Sequence, residues 1–127
     1  MNIKKLQKIF NHYKKKYKLD TRLEVEPKGL LCNYRPDIDY IYIGYEAIGK
    51  GTLSKRLNVK SKKYLYILAL LHEIKHAIDK NILIDELKSF DLAQYHESGQ
   101  YHDTRTWEVR ADNFAKKEFK KWKGGIT

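Results

Sequence analysis

The sequence predicts an α+β fold: an N-terminal helix, a small three-stranded sheet, a buried central helix and a C-terminal helix. Three observations predict it. Apolar residues recur at helical spacing in residues 2–18 and again in 105–122. Between Leu23 and Ile43 apolar and polar residues alternate, interrupted by proline and glycine, as in short strands. Residues 62–80 are apolar almost all round, which marks a helix enclosed by the rest of the fold. A chain of 127 residues has the length of one domain, and residues 1–127 are read as such. With 42% hydrophobic and 13% aromatic residues, it is expected to fold rather than remain disordered.

In order along the chain, Ile3, Leu6, Phe10, Tyr13 and Tyr17 form one stripe of a helix over 2–18, with lysines on its other side. Asp20-Thr21 ends it. Leu23 and Val25 alternate with Glu24 and Glu26 in a first strand, stopped by Pro27 and Gly29. Leu30–Tyr34 is a second strand and Ile38–Ile43 a third. Arg35-Pro36-Asp37 supplies turn chemistry between them, so the two form a hairpin. Residues 44–60 hold three glycines and read as an irregular connection. Ser61 can cap the central helix, which Asp79-Lys80-Asn81 closes. A short helix is expected from Ile82 to Leu92, then a polar loop from Tyr95 to Arg105. Thr104 or Thr106 caps the last helix, whose stripe is Trp107, Ala111, Phe114, Ala115, Phe119 and Trp122. Gly124-Gly125 is expected to fray.

Cys32 is the only cysteine, so no disulfide within the chain and no cysteine-based metal site is expected; it reads as a small packed hydrophobe in a reducing compartment. Seven lysines between Lys4 and Lys18 break up the apolar residues there, unlike a secretory signal. The longest apolar run, Tyr64–Leu71, is too short to span a bilayer. A soluble, cytoplasmic protein without membrane contact is therefore expected. The net charge is +10, with a second cluster of five lysines between Lys116 and Lys123. Such a balance favours loose, nonspecific contact with nucleic acid or acidic proteins through the Lys-rich termini. No helix-turn-helix or zinc-finger pattern accompanies it, which excludes specific readout by those motifs.

The strongest clue is His72-Glu73-Ile74-Lys75-His76, near the end of the buried helix. Histidines four apart lie one above the other on one helix face and can converge on a metal without bending the backbone. Glu73 is turned by about 100° from His72 around the axis. Its carboxylate then stands beside the metal, placed to take a proton from a water there. Burying two histidines and a glutamate uncompensated is costly, and a metal satisfies all three together. A catalytic zinc takes three protein ligands and keeps a fourth position open. Glu108 on the last helix is the best third ligand, with His96 and His102 in the polar loop as rivals. Asp112, one turn beyond Glu108, can accept the free ring N–H of a ligating histidine, and small Ala111 and Ala115 let the two helices approach closely.

The segment 71–77, Leu-His-Glu-Ile-Lys-His-Ala, followed by 107–115, Trp-Glu-Val-Arg-Ala-Asp-Asn-Phe-Ala, resembles the zincin metallopeptidases with a glutamate third ligand. Within these it looks most like the ImmA/IrrE-type peptidases often found on phages and mobile elements. The resemblance implies a minimal zincin-like domain, Zn2+ held by His72, His76 and Glu108, and Glu73 as catalytic base. It also implies cleavage of a regulatory protein such as a repressor. Two departures stand out: Lys75 occupies a position that commonly holds a small residue, and the chain carries no helix-turn-helix or sensor segment, so regulation by a fused domain is not expected.

In the expected mechanism Glu73 removes a proton from water activated by zinc, hydroxide attacks a polarised peptide carbonyl, and Glu73 returns the proton to the leaving amine. Tyr95, His96, Tyr101, His102 and Arg105 precede the Glu108 helix and could stabilise the oxyanion; Tyr95 and His102 are the candidates taken forward. The strand Ile38–Ile43 is expected to be an edge on which an extended peptide substrate pairs. Two competing readings remain. One is a DNA-associated protease resembling the SprT-like group, favoured by the charge but built on a third histidine. The other is a non-catalytic basic module with a structural zinc, which has no need of a glutamate at position 73.

Overall fold

The structure, a computed structural model, describes residues 2–26, 28–29, 32–44, 57–59, 61–88 and 106–123. It is α+β, with four helices and one small mixed sheet among these residues. Helix α1 (Ile3–Lys16) starts where the Asn2 side chain accepts from the Lys5 N–H at 3.1 Å, and ends in three lysines that face the negative end of its dipole. Leu6, Ile9, Phe10 and Tyr13 are its buried stripe. The expected outer members, Ile3 and Tyr17, are exposed because they overhang the ends of the packed face.

Strand β1 (Arg22–Glu26) is followed by β2 (Cys32–Arg35) and β3 (Tyr40–Gly44). β2 and β3 form the expected antiparallel hairpin, with Tyr34 opposite Ile41. The hairpin turn is pinned by Asp39, which adopts a left-handed φ of 53° and accepts hydroxyl hydrogen bonds from Thr21 and Tyr34, both at 2.7 Å. Gly29 N–H bonds back to the Glu26 carbonyl at 3.0 Å. A Cβ at Gly29 would stand only 3.0 Å from the Gly44 Cα, so a larger residue there would press on the end of β3.

One expectation is overturned. Residues 38–43 do not form a free edge: the strand order is β1-β3-β2, and β3 is central, with β1 added parallel on the side away from the hairpin. Its Ile41 and Ile43 are fully buried, which is where a strand paired on both sides places its apolar face. Among the described residues the sheet edges are β1 and β2.

Helix α2 (Lys62–Ile78) is enclosed as its composition predicts: every residue from Leu65 to Ile74 is buried. It packs on β2 and β3 and on α1. Ser61 is its N-cap in an extended conformation, though its side chain makes no capping bond. Helix α3 (Lys80–Lys88) follows at once, two residues earlier than expected, because the Leu83 N–H bonds to the Asp79 carbonyl at 2.8 Å. Helix α4 (Thr106–Trp122) lies antiparallel against α2, with Glu108 beside His76, Asp112 beside His72 and Phe119 against Tyr64. Ala111 and Ala115 are fully buried in that contact, and their size lets the helices approach. No helix among the described residues is long and apolar enough to cross a membrane.

The buried face of α4 also carries Glu118, which the apolar stripe does not foretell. Tyr13 OH donates to Glu118 Oε1 at 2.9 Å and accepts from Trp122 Nε1–H at 2.8 Å. Burial works against the Glu118 charge, but Lys121 and the Tyr13 hydroxyl outweigh it and hold the carboxyl below its ordinary range. This bond chain ties the two ends of the sequence together.

Candidate metal centre

Four of the predicted residues arise from two local facts. The i, i+4 spacing on α2 stacks His72 over His76, with ring centroids 4.8 Å apart. The same spacing on α4 presents Glu108 and Asp112 on its buried face. The antiparallel contact then brings the pairs together. His76 Nε2 lies 2.6 Å from Glu108 Oε1, His72 Nε2 lies 3.4 Å from the same oxygen, and the two ring nitrogens are 3.2 Å apart. On the opposite ring atom, His72 Nδ1 is 2.7 Å from Asp112 Oδ1. Glu73 Oε1 stands further out, 4.0 Å from His72 Nε2 and 3.9 Å from His76 Nε2. All five side chains are buried.

This donor set could hold a metal ion. Tetrahedral bonds of ~2.0–2.1 Å put neighbouring ligand atoms ~3.3–3.4 Å apart. Two of the three separations among His72, His76 and Glu108 match this, and the third is drawn in by a direct hydrogen bond. His72, Glu73 and His76 together offer atoms within 4.8 Å of one another and could hold a metal ion. Asp112 occupies the place from which a carboxylate fixes the tautomer of a ligating histidine. Tyr95, His96, Tyr101, His102 and Arg105 lie outside the described residues.

The electrostatics have one dominant feature. Burial disfavours the His72 imidazolium, but the Asp112 hydrogen bond, the Glu108 hydrogen bond and the nearby Glu73 charge outweigh it, and the ring is pushed up to about 10. A proton on His72 therefore offsets the carboxylates that a bound cation would otherwise offset. Two consequences follow. Because the folded value lies above the ordinary 6.5, this proton stabilises the metal-free fold fully below pH 6.5, and the contribution is lost as pH rises through about 10. Metal must also displace the proton, so affinity should rise about tenfold per pH unit between pH 7 and 9 with release of one proton per ion. Isothermal titration in buffers of different ionisation enthalpy checks this. Affinity independent of pH would show that His72 is not protonated in the metal-free state.

Two further features surround the site. Arg110, between Glu108 and Asp112 in sequence, points to the other side of α4. Its Nε donates to Asp79 Oδ2 at 2.8 Å, and its terminal nitrogens grip Glu86 at 2.7 and 3.2 Å. Lys75 joins the same cluster, 3.2 Å from Asp79 Oδ1 and over the Phe114 ring, so the unusual cation in the motif is used to fasten α4 to the end of α2. Sequence reasoning gave neither Lys75 nor Arg110 a packing role; the signal for one was the charge at 79, 86 and 110. Arg110→Ala should cost about 1–3 kcal/mol in urea unfolding, because partly buried Glu86 loses its guanidinium partner and buried Asp79 is left with Lys75. Arg110→Lys should restore less than half, lacking the fork geometry. Full recovery with lysine would reduce the cluster to simple charge pairing.

Cys32 on β2 is half-buried near Glu73, and its thiol donates to the Gly44 carbonyl at 3.7 Å. Burial pushes the thiol up to about 11, with the help of the Glu73 charge, so it stays protonated at neutral pH. No family model matches the chain, and neither a curated protein nor a solved structure matches it.

Proposed function

We propose that this chain is a zinc-dependent metallopeptidase with a minimal zincin-like domain, in which His72, His76 and Glu108 hold zinc and Glu73 is the general base. The observation that carries the reading is the convergence of two α2 ring nitrogens and one α4 carboxylate oxygen at 2.6–3.4 Å, with a second carboxylate standing just outside them. A purely structural site has no use for that outlying carboxylate.

Zinc bound there would act as a Lewis acid, polarising a peptide carbonyl and lowering the pKa of water beside it. Glu73 takes the proton as water attacks the carbonyl carbon and passes it to the departing amine nitrogen. Asp112 holds the His72 ring by its Nδ1–H, aiming Nε2 at the centre. The edge suited to an extended peptide is β2: it packs directly on α2, and among the described residues it pairs with β3 on one side only. The resemblance to ImmA/IrrE-type peptidases makes a regulatory protein, such as a repressor of a phage or mobile element, the substrate class proposed. Tyr95 and His102 are retained as candidates for oxyanion stabilisation.

Metal content by plasma mass spectrometry tests the ligand set. One zinc per chain is expected, lost or strongly weakened in His76→Ala and in Glu108→Ala. The charge of +10 favours a second reading, a SprT-like protease acting on DNA-bound proteins with a third histidine. Zinc that survives Glu108→Ala but is lost in His96→Ala or His102→Ala would select it.

A further inference from the structure

The two lysine clusters at opposite ends of the sequence are brought to one end of the molecule. The antiparallel contact of α2 and α4 puts the first turn of α2 beside the last turn of α4, where Lys123 Nζ lies 5.8 Å from the centre of the Tyr64 ring. The last turn of α1 joins them through the Tyr13, Glu118 and Trp122 bonds. Lys16 from α1, Lys62 and Lys63 from α2, and Lys120, Lys121 and Lys123 from α4 thus share one exposed surface. No carboxylate from these three elements is exposed to balance them. α1 has no acidic residue, residues 61–72 have none, and the three acids of α4 are buried. Glu118 on α4 lies beneath them, and it is already held by Lys121 and Tyr13. The positive end of the α2 dipole adds to the same field, with no acidic side chain in its first turn.

Like charges gathered this way repel one another, and the protein gains nothing in stability from the arrangement. A polyanion relieves the repulsion. We propose that this basic end docks on the phosphate backbone of a nucleic acid duplex without reading its sequence. Two details select that partner. All six cations are lysines, compact point charges suited to phosphates, whereas arginine forks are the commoner readers of guanine edges. Among the described residues the aromatic rings at this end are engaged: Trp122 is buried, Tyr64 and Phe119 pack on each other, and the exposed Tyr17 has Tyr13 stacked on it and Lys16 over its ring. A single-strand site needs free aromatic faces for its bases. The metal centre is about ten residues, or ~15 Å, further along α2, so docking leaves it accessible. The proposal does not depend on the peptidase reading.

The test is fluorescence anisotropy with a 20-base-pair DNA duplex of arbitrary sequence across a salt series, using the full chain with and without zinc. Binding should be unchanged when the sequence is scrambled, and log K should fall with log salt at a slope of about −3 to −5, as for four or five neutralised phosphates. Lys63→Glu with Lys120→Glu should weaken binding by about tenfold or more at low salt, while Lys28→Glu with Lys88→Glu, the same change in net charge elsewhere on the surface, should weaken it by less than about threefold. Thermal melts confirm that both variants fold. Equal losses in the two variants would overturn the proposal, because net charge alone would then explain binding. Tighter binding of the corresponding single strand would overturn the duplex assignment. Preference for polyglutamate over the duplex would assign the surface to an acidic protein instead.

Discussion

Glu73→Gln should lower peptide-bond hydrolysis by about 10²–10⁴-fold while leaving zinc content unchanged. Glutamine keeps the size of the side chain and its ability to hydrogen-bond but cannot accept a proton at neutral pH. On the proposed reading the two roles divide by distance. The Glu73 carboxylate is 3.9–4.0 Å from both histidine nitrogens, while Glu108 lies at 2.6 and 3.4 Å from them. Replacing Glu108 should therefore strip the metal, and replacing Glu73 should strip only the chemistry. With no substrate in hand, the measurement is digestion of a diverse peptide library by wild type, Glu73→Gln and chelator-treated protein, with new termini counted by mass spectrometry. Hydrolysis by zinc-loaded Glu73→Gln at the wild-type rate would remove Glu73 as the base. A zinc-loaded wild type that cleaves nothing in the library or among purified repressors would leave a metal-binding protein without this activity.

Zinc should also stabilise the fold strongly. At free zinc 1,000 times its dissociation constant the gain is about 4 kcal/mol, which for a chain of this size raises the melting temperature by roughly 10–20 °C. The physical source is the buried cluster itself. Glu73, Glu108 and Asp112 place three carboxylates in an interior where His72 holds the compensating proton. A divalent ion neutralises that cluster better than one proton does. Scanning calorimetry with and without zinc reads the shift, and His76→Ala should remove most of it. A shift retained in His76→Ala would place the ion elsewhere.

The helical part of the candidate site was legible because its spacing is local. His72 and His76 share a face of α2 whatever surrounds the helix, and Glu108 and Asp112 share a face of α4 by the same rule. The enclosure of α2 was equally legible, since a helix apolar on all sides has no face to give to water. The hairpin of β2 and β3 followed from turn residues between two alternating runs. Element ends were less so: α3 begins at Lys80 because a backbone bond to Asp79 extends it, and backbone bonds leave no mark in composition.

By itself, then, the sequence determined which faces are buried and which residues share them, because side-chain periodicity reports a rotation about one element's own axis. Only the tertiary structure decided what each face meets. It made β3 central by adding β1 in parallel, where the alternating pattern of 38–43 suits an edge as well as a middle strand. It set α4 antiparallel to α2, so that Glu108 meets a histidine 32 positions away in sequence. It turned Arg110 and Lys75 inward to Asp79, and gathered lysines from both ends of the chain onto one surface. Each of these depends on packing between elements distant in sequence, and periodicity carries no record of the partner.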